Sequence, residues 1–287
     1  MRLPVRQLVP RRHGLQWYFE HNDGRMVDKL MHYFEIYERH FDAFRGGAPT
    51  VVELGVSQGG SLDMWRWYFG RRSTIVGVDV DPRVADLPTP SGVHVHVGDQ
   101  ADPQFLASLV DRHGPPDIVI DDGSHRHGDQ MASLTTLWEM MEPGAVYLVE
   151  DVCTSYLDAY GGGVGRSDTF IGETKALVDE VHGYWIGDGA DPDQGAVDTD
   201  AHWTRTLGGI HVYDSIVVLD RAARQPPVRR QTGRPAFDDV YGVPVDQWLR
   251  DDHRTQLERL NAPMARARRT LRDPVGAFGR LRYRLRD

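Results

Sequence analysis

The chain has 287 residues, 40% hydrophobic and 26% charged, with a formal net charge of -9, so it is long enough to bury a full core and has the composition of a globular protein. The acidic balance argues against a general nucleic-acid binder, and no apolar run approaches the roughly 20 residues of a bilayer span. The single cysteine, Cys153, excludes an internal disulfide and fits a reducing cytoplasm, the expected location.

The first 24 residues show no clear period. Arg2, Arg6, Arg11 and Arg12 are followed by no apolar core of a secretory leader. From Arg25 to Phe44, Met26, Leu30, Phe34, Tyr37 and Phe41 recur at helical spacing, which predicts an amphipathic helix. Gly46-Gly47-Ala48-Pro49 ends it. Apolar runs then alternate with helical stretches. The runs lie at 51–56, 74–80, 93–98, 117–123 and 145–151, and the intervening helices at 60–69, 102–113 and 128–142. This rhythm predicts an α/β fold with a doubly wound, mostly parallel sheet covered by helices on both faces. A further helix is expected from about Phe170 to His182, then the loop GDGADPDQGAVDTD, and residues 208–221 read as a terminal hairpin with Asp214 near its junction. Three regions follow: a helical segment over 1–48, a catalytic domain over 49–222 with an insert near 161–206, and an Arg-rich extension over 223–287.

The acidic and glycine residues gather at strand ends, where ligands bind in open α/β sheets. Glu53-Leu54-Gly55-Val56-Ser57-Gln58-Gly59-Gly60-Ser61 joins a strand to a helix, and glycines there let backbone approach a ligand at a helix N-terminus. By itself the turn is a weak signal, since it lacks the third glycine of the dinucleotide fingerprint and the lysine of a P-loop. Asp79 ends the second strand, where an acid can accept from both hydroxyls of a ribose. Gly98-Asp99-Gln100 ends the third, placed for an adenine edge. Read together they favour an adenosyl cofactor; NAD or another nucleotide on the same fold is the alternative.

The fourth strand ends Asp121-Asp122-Gly123-Ser124-His125 and the fifth Glu150-Asp151. Neighbouring strands lie about 4.8 Å apart, so these acids can converge. Carboxylates about 4 Å apart repel by roughly 4 kcal/mol per pair at an effective dielectric of 20; such a cluster protonates or holds a cation. Oxygen ligands select a hard ion, and Mg²⁺ leaves coordination positions for substrate. The expected metal set is Asp122, Glu150 and Asp151. Histidine ordinarily titrates near neutrality, so His125 is the expected general base. Either acidic pair alone would more often cap a turn. His94 and His96, on one face of a strand, read as structural. Tyr156, Tyr160, Trp185 and the loop 187–202 are candidates for an acceptor platform and lid.

The order E-x-G-x-x-x-G-G, G-V-D, G-D-Q over residues 50–221 resembles the class I methyltransferases. The resemblance implies a seven-stranded Rossmann-like methyltransferase sheet with an antiparallel last strand. It also implies S-adenosylmethionine bound through Glu53, Gly55, Asp79 and Gln100, with Ser57, Ser61, Asp99 and Asp121 counted in the same set. D-D-G-S-H, then E-D-V-x-T-S-Y, Y-G-G and I-H-V-Y-D-S-I-V-V, is similar to the metal-dependent macrolide-sugar O-methyltransferases of the mycinamicin and demethylmacrocin type, and to mycobacterial polysaccharide sugar O-methyltransferases. D-K-x-x-H-Y-x-x-x-Y-x-x-H-F (28–41) resembles their pre-sheet segment. That implies Mg²⁺ on Asp122, Glu150 and Asp151, His125 as base, a small sugar-containing acceptor and a homo-oligomer, with no nucleic-acid partner and no stable membrane insertion. The eight arginines after Pro263 leave a non-enzymatic alternative, a module that binds polyanions or membrane surfaces.

Overall fold

The computed structural model describes residues 13–186 and 201–228, together with Ala236 and a ribbon of Asp239–Val240 paired with Val243–Pro244. Residues up to Pro227 form one compact unit and those from Val228 onward a second. Most of the expected 187–202 loop and the Arg-rich tail lie outside the described residues.

In the first unit the five expected parallel strands form, each slightly shorter than its apolar run: β1 (Thr50–Leu54), β2 (Thr74–Asp79), β3 (Val93–Val97), β4 (Ile118–Asp121) and β5 (Val146–Val149). The hairpin supplies β6 (Leu207–Val212) and β7 (Val217–Arg221). The strand order is β3-β2-β1-β4-β5-β7-β6, with β7 antiparallel to both neighbours. Strand order reverses between β1 and β4, the switch point where such sheets leave a crevice at their carboxyl ends. The central strands are apolar on both faces because both are covered. Beneath one face, α1 (Leu15–Glu20), α2 (Tyr33–Phe41) and α3 (Gly60–Phe69) bury Leu15, Tyr37, Phe41, Trp65 and Phe69. On the other, α4 (Pro103–His113), α5 (His127–Trp138) and α6 (Phe170–Val181) bury Leu109, Leu137, Trp138 and Leu177.

Local chemistry sets the helix ends. The Asp102 carboxylate accepts from Gln104 N and Phe105 N ahead of α4, with Pro103 in its first turn. Thr169 caps α6 through Gly172 N. Both are side-chain caps that satisfy the otherwise unpaired first N–H groups of a helix. His96 Nε2 lies 2.9 Å from His113 Nε2, so that histidine pair joins β3 to α4, consistent with a structural role.

The segment from Arg25 to Phe44 departs from its expected helix. Only Tyr33–Phe41 is α-helical, followed by a 3₁₀ turn over Asp42–Phe44; residues 25–32 form no helix. Tertiary contacts override the periodicity here. Arg25 Nε donates to Asp63 at 2.9 Å, and the Asn22 amide donates to Arg25 O at 2.8 Å. The backbone of Met26 also presses on Gly60, where an added Cβ would sit 2.2 Å from Met26 O. Met26 and Leu30, expected on a buried helix face, are 62% and 49% exposed. The segment instead runs along the crevice, and the N-terminal region is packed into the same core as the sheet.

Candidate active site

A cavity of about 860 Å³ opens at the carboxyl ends of β1, β2, β4 and β5. Its floor is the turn between β1 and α3. Gly55 has φ +92°, and a Cβ there would meet Asp122 O at 2.0 Å; only glycine lets the two strand ends touch. Asp79 secures the same turn. Its Oδ2 accepts from Val56 N at 2.9 Å and Ser57 N at 2.8 Å, while Oδ1 accepts from Asp81 N at 2.9 Å. Of the expected cofactor residues, Gly55, Ser57, Ser61, Asp79, Asp99 and Gln100 line the cavity.

Glu53 and Asp121 do not. Glu53 is fully buried, its carboxylate accepting from Ser61 Oγ and Trp65 Nε1, each at 2.8 Å. Burial pushes its carboxyl up to about 7, against the opposing pull of the Lys29 charge. Both acceptor atoms are spent on α3, so Glu53 fastens that helix to β1. Asp121, also fully buried, accepts from Gln100 Nε2 at 3.0 Å and Ser133 Oγ at 2.6 Å. Burial raises its carboxyl too, opposed by the Ser133 and Gln100 hydrogen bonds. The Gln100 oxygen accepts from Ser124 N at 2.8 Å. Asp121 thus orients Gln100 and the following loop from behind the cavity wall. Strand alternation contributes to the split: successive side chains point to opposite faces, so of the adjacent pair Asp121 projects into the core and Asp122 into the crevice.

The second part of the site gathers the acids of β4 and β5. Asp122, His125 and Asp151 each offer a ligand atom within 4.8 Å of the others. His125 Nε2 is 3.6 Å from Asp151 Oδ2 and 4.0 Å from Asp122 Oδ1. His125 and Asp151 both sit at positive φ, 56° and 52°, a sparsely populated conformation for non-glycine residues. Thr154 Oγ1 holds the two turns together, donating to His125 O at 3.1 Å and to Asp151 O at 2.8 Å. Glu150 stands deeper, 1% exposed. Its Oε1 is buried without a hydrogen bond of good geometry, beside the enclosed Tyr37 hydroxyl.

Two residues that sequence reasoning left out complete the cluster. Lys29, 2% exposed, donates from Nζ to Asp122 Oδ2 and to Glu150 Oε2, the latter at 2.8 Å. The Tyr33 hydroxyl donates to Asp151 Oδ1 at 2.6 Å. Burial raises the Glu150 carboxyl, with Asp122 adding to it and Lys29 opposing; burial and the Asp151 hydrogen bond raise the Tyr33 hydroxyl. The available signal was the D-K-x-x-H-Y run itself, in a chain with only two lysines. Three carboxylates facing one ammonium leave an excess of negative charge on hard oxygen donors, which suits a divalent cation such as Mg²⁺. On the acceptor side, Tyr160 and Leu157 line the cavity; Tyr156 and Trp185, expected there, are exposed and do not.

The strand order of the sheet, with a glycine turn at the crevice, is that of a Rossmann-like methyltransferase fold. Residues 52–152 match the family model described as a methyltransferase domain. The chain is similar to an 8-demethyl-8-alpha-L-rhamnosyl tetracenomycin-C 2'-O-methyltransferase of Streptomyces olivaceus, with 39% identity over 67% of this chain and 50% of the relative. It is also similar to the demethylmacrocin O-methyltransferase of Streptomyces fradiae, with 32% identity over 76% of this chain and 52% of the relative. Among solved structures it resembles MycE, the methyltransferase from the mycinamycin biosynthetic pathway in complex with Mg, SAH and mycinamycin VI. That match has a TM-score of 0.63 and 29% identity, covering 74% of this chain and 54% of MycE. The chain spans about half the length of the curated relatives it matches. No helix among the described residues is long and apolar enough to cross a membrane.

Proposed function

We propose that the protein is an S-adenosylmethionine- and Mg²⁺-dependent O-methyltransferase acting on a hydroxyl of a sugar in a glycosylated natural product. One observation carries this: the turn at Gly55 and Asp79, and the cluster of Asp122, His125 and Asp151, line a single cavity. The names of two relatives support the substrate class: one is an O-methyltransferase of a rhamnosyl tetracenomycin-C and the other of demethylmacrocin. Asp122, Glu150 and Asp151 would hold the metal. When bound, S-adenosylmethionine supplies an electrophilic methyl carbon and leaves as S-adenosylhomocysteine, and the divalent ion supplies positive charge near the acceptor oxygen.

The chain's own residues do the rest. Asp79 holds Val56 and Ser57 N–H in place, so the turn is organised before a ligand arrives. His125 Nε2 would take the proton of the acceptor hydroxyl, leaving its oxygen free to accept the methyl group that bound S-adenosylmethionine would supply. Asp151, 3.6 Å from that nitrogen, stabilises the imidazolium that results. Leu157 and Tyr160 offer apolar surface to a sugar face. Holding both reactants in line contributes about 7–11 kcal/mol to such reactions. The test is thermal-shift titration with S-adenosylhomocysteine and NAD, followed by methyl transfer to deoxysugar glycosides with and without a chelator. Stabilisation by NAD alone, or transfer indifferent to chelation and Mg²⁺, overturns the proposal.

A further inference from the structure

We infer that the protein carries a second metal site, distinct from the carboxylate cluster, formed by His40, His211 and Asp220 and suited to a borderline transition ion such as Zn²⁺. The three residues come from three elements: His40 from the last turn of α2, His211 from β6 and Asp220 from β7. Each offers one ligand atom, and the three atoms lie within 4.8 Å of one another. His211 Nε2 is 2.8 Å from Asp220 Oδ2, and the His40 and His211 rings meet edge to face with centroids 4.6 Å apart. The Tyr213 hydroxyl stands 2.9 Å from His40 Nε2.

The donor chemistry separates this site from the first. Two imidazoles and one carboxylate favour zinc and its neighbours over Mg²⁺, which prefers oxygen alone. His211 and Asp220 are each 40% exposed, so an ion can enter and keep a water in an open position. A metal ligand must be a neutral imidazole. Arg39 is the cation at the rim, its guanidinium 5.7 Å from the Tyr213 ring centroid.

An ion here would clip α2 to the terminal hairpin. That connection reaches the active site, since the first residue of α2, Tyr33, donates to Asp151, and His32 Nε2 lies 3.0 Å from Asp214 O in the hairpin turn. The site stands or falls independently of the proposed methyl transfer.

The test uses the full chain in millimolar Mg²⁺, to occupy the carboxylate cluster, with Zn²⁺ titrated by calorimetry and Co²⁺ by visible absorption. One equivalent of Zn²⁺ is expected to bind despite the Mg²⁺, and Co²⁺ to show the intense bands of a low-symmetry nitrogen-ligated site. At a hundredfold excess over Kd, Zn²⁺ should raise Tm by about 5–10 °C. His211→Ala and Asp220→Asn, both away from the active site, should weaken Zn²⁺ binding at least tenfold and leave Mg²⁺ binding unchanged. Zn²⁺ binding that is unaffected by both variants, or that disappears in Mg²⁺, refutes the site; loss in Asp122→Asn instead would place the zinc in the carboxylate cluster.

Discussion

Replacing Lys29 with methionine removes one buried cation and leaves its shape largely in place. In the wild type the ammonium lies 2.8 Å from Glu150 and also contacts Asp122, with 2% of its side chain exposed, so solvent does little to screen it. The gross attraction to Glu150 alone is about 6 kcal/mol at an effective dielectric of 20, and desolvation of both groups offsets much of it. Removing one partner of a buried pair typically costs about 3–5 kcal/mol, because the other charge remains. For a unit of this size that corresponds to a fall in Tm of roughly 6–20 °C. The loss should depend on pH. The Glu150 carboxyl is already raised by burial and Asp122, with Lys29 pulling it down; without Lys29 it rises further. A folded-state acid with a raised pKa binds more protons than the unfolded chain, so its stability contribution is present at low pH and is lost as pH rises. The raised Lys29 pKa keeps the wild-type cation present across this range. Scanning calorimetry in a metal-free buffer should therefore show a small deficit for Lys29→Met near pH 5.5 and a larger one near pH 8.5. An equal deficit at both, or none, would refute the assignment of Lys29 as the counter-ion of the cluster.

Glu53→Gln should flatten the stability profile in the acid range. The folded carboxyl titrates at about 7 against an ordinary 4.5, so wild-type stability falls by up to about 3 kcal/mol as pH rises across that interval. Denaturant titrations should show the variant gaining on the wild type between those pH values and level above them. Asp79→Ala strips the acceptor from Val56 and Ser57 N–H; calorimetry with S-adenosylhomocysteine should give a Kd at least tenfold weaker. His125→Asn, chosen because asparagine tolerates the positive φ at this position, should lower turnover by about 10²–10⁴ while cofactor and Mg²⁺ affinities stay within a factor of two. A matching loss of Mg²⁺ binding would make His125 a ligand and not the base.

The parallel strands were legible because a strand covered on both faces must be largely apolar, as Val51, Val52 and Leu54 of β1 and Ile118, Val119 and Ile120 of β4 are. Asp79, Asp122 and Asp151, at or just beyond the ends of β2, β4 and β5, were legible for the complementary reason: acids interrupt the apolar runs where the sheet opens to a ligand. Glu53 and Asp121 misled because a motif gives a residue's position in the chain and says little about the face on which its side chain lies. The segment at 25–32 misled because the spacing of Met26, Leu30 and Phe34 is helical while contacts with Gly60, Asp63 and Glu150 hold the chain in another path. Lys29 and Tyr33 meet partners 121 and 118 residues away. No local pattern encodes such pairings.

Those long-range pairings bear on how the chain reaches its working form. The carboxylates beyond β4 and β5 and the groups that bind them are encoded 93 to 121 residues apart, with the ammonium arriving from a stretch that precedes the first strand. A fragment trimmed to the matched region, residues 52–152, would keep every acid of the cluster and discard both Lys29 and Tyr33. Such a fragment would leave Asp122 and Glu150 without their ammonium, so a piece that begins upstream of Lys29 is expected to be the more stable of the two.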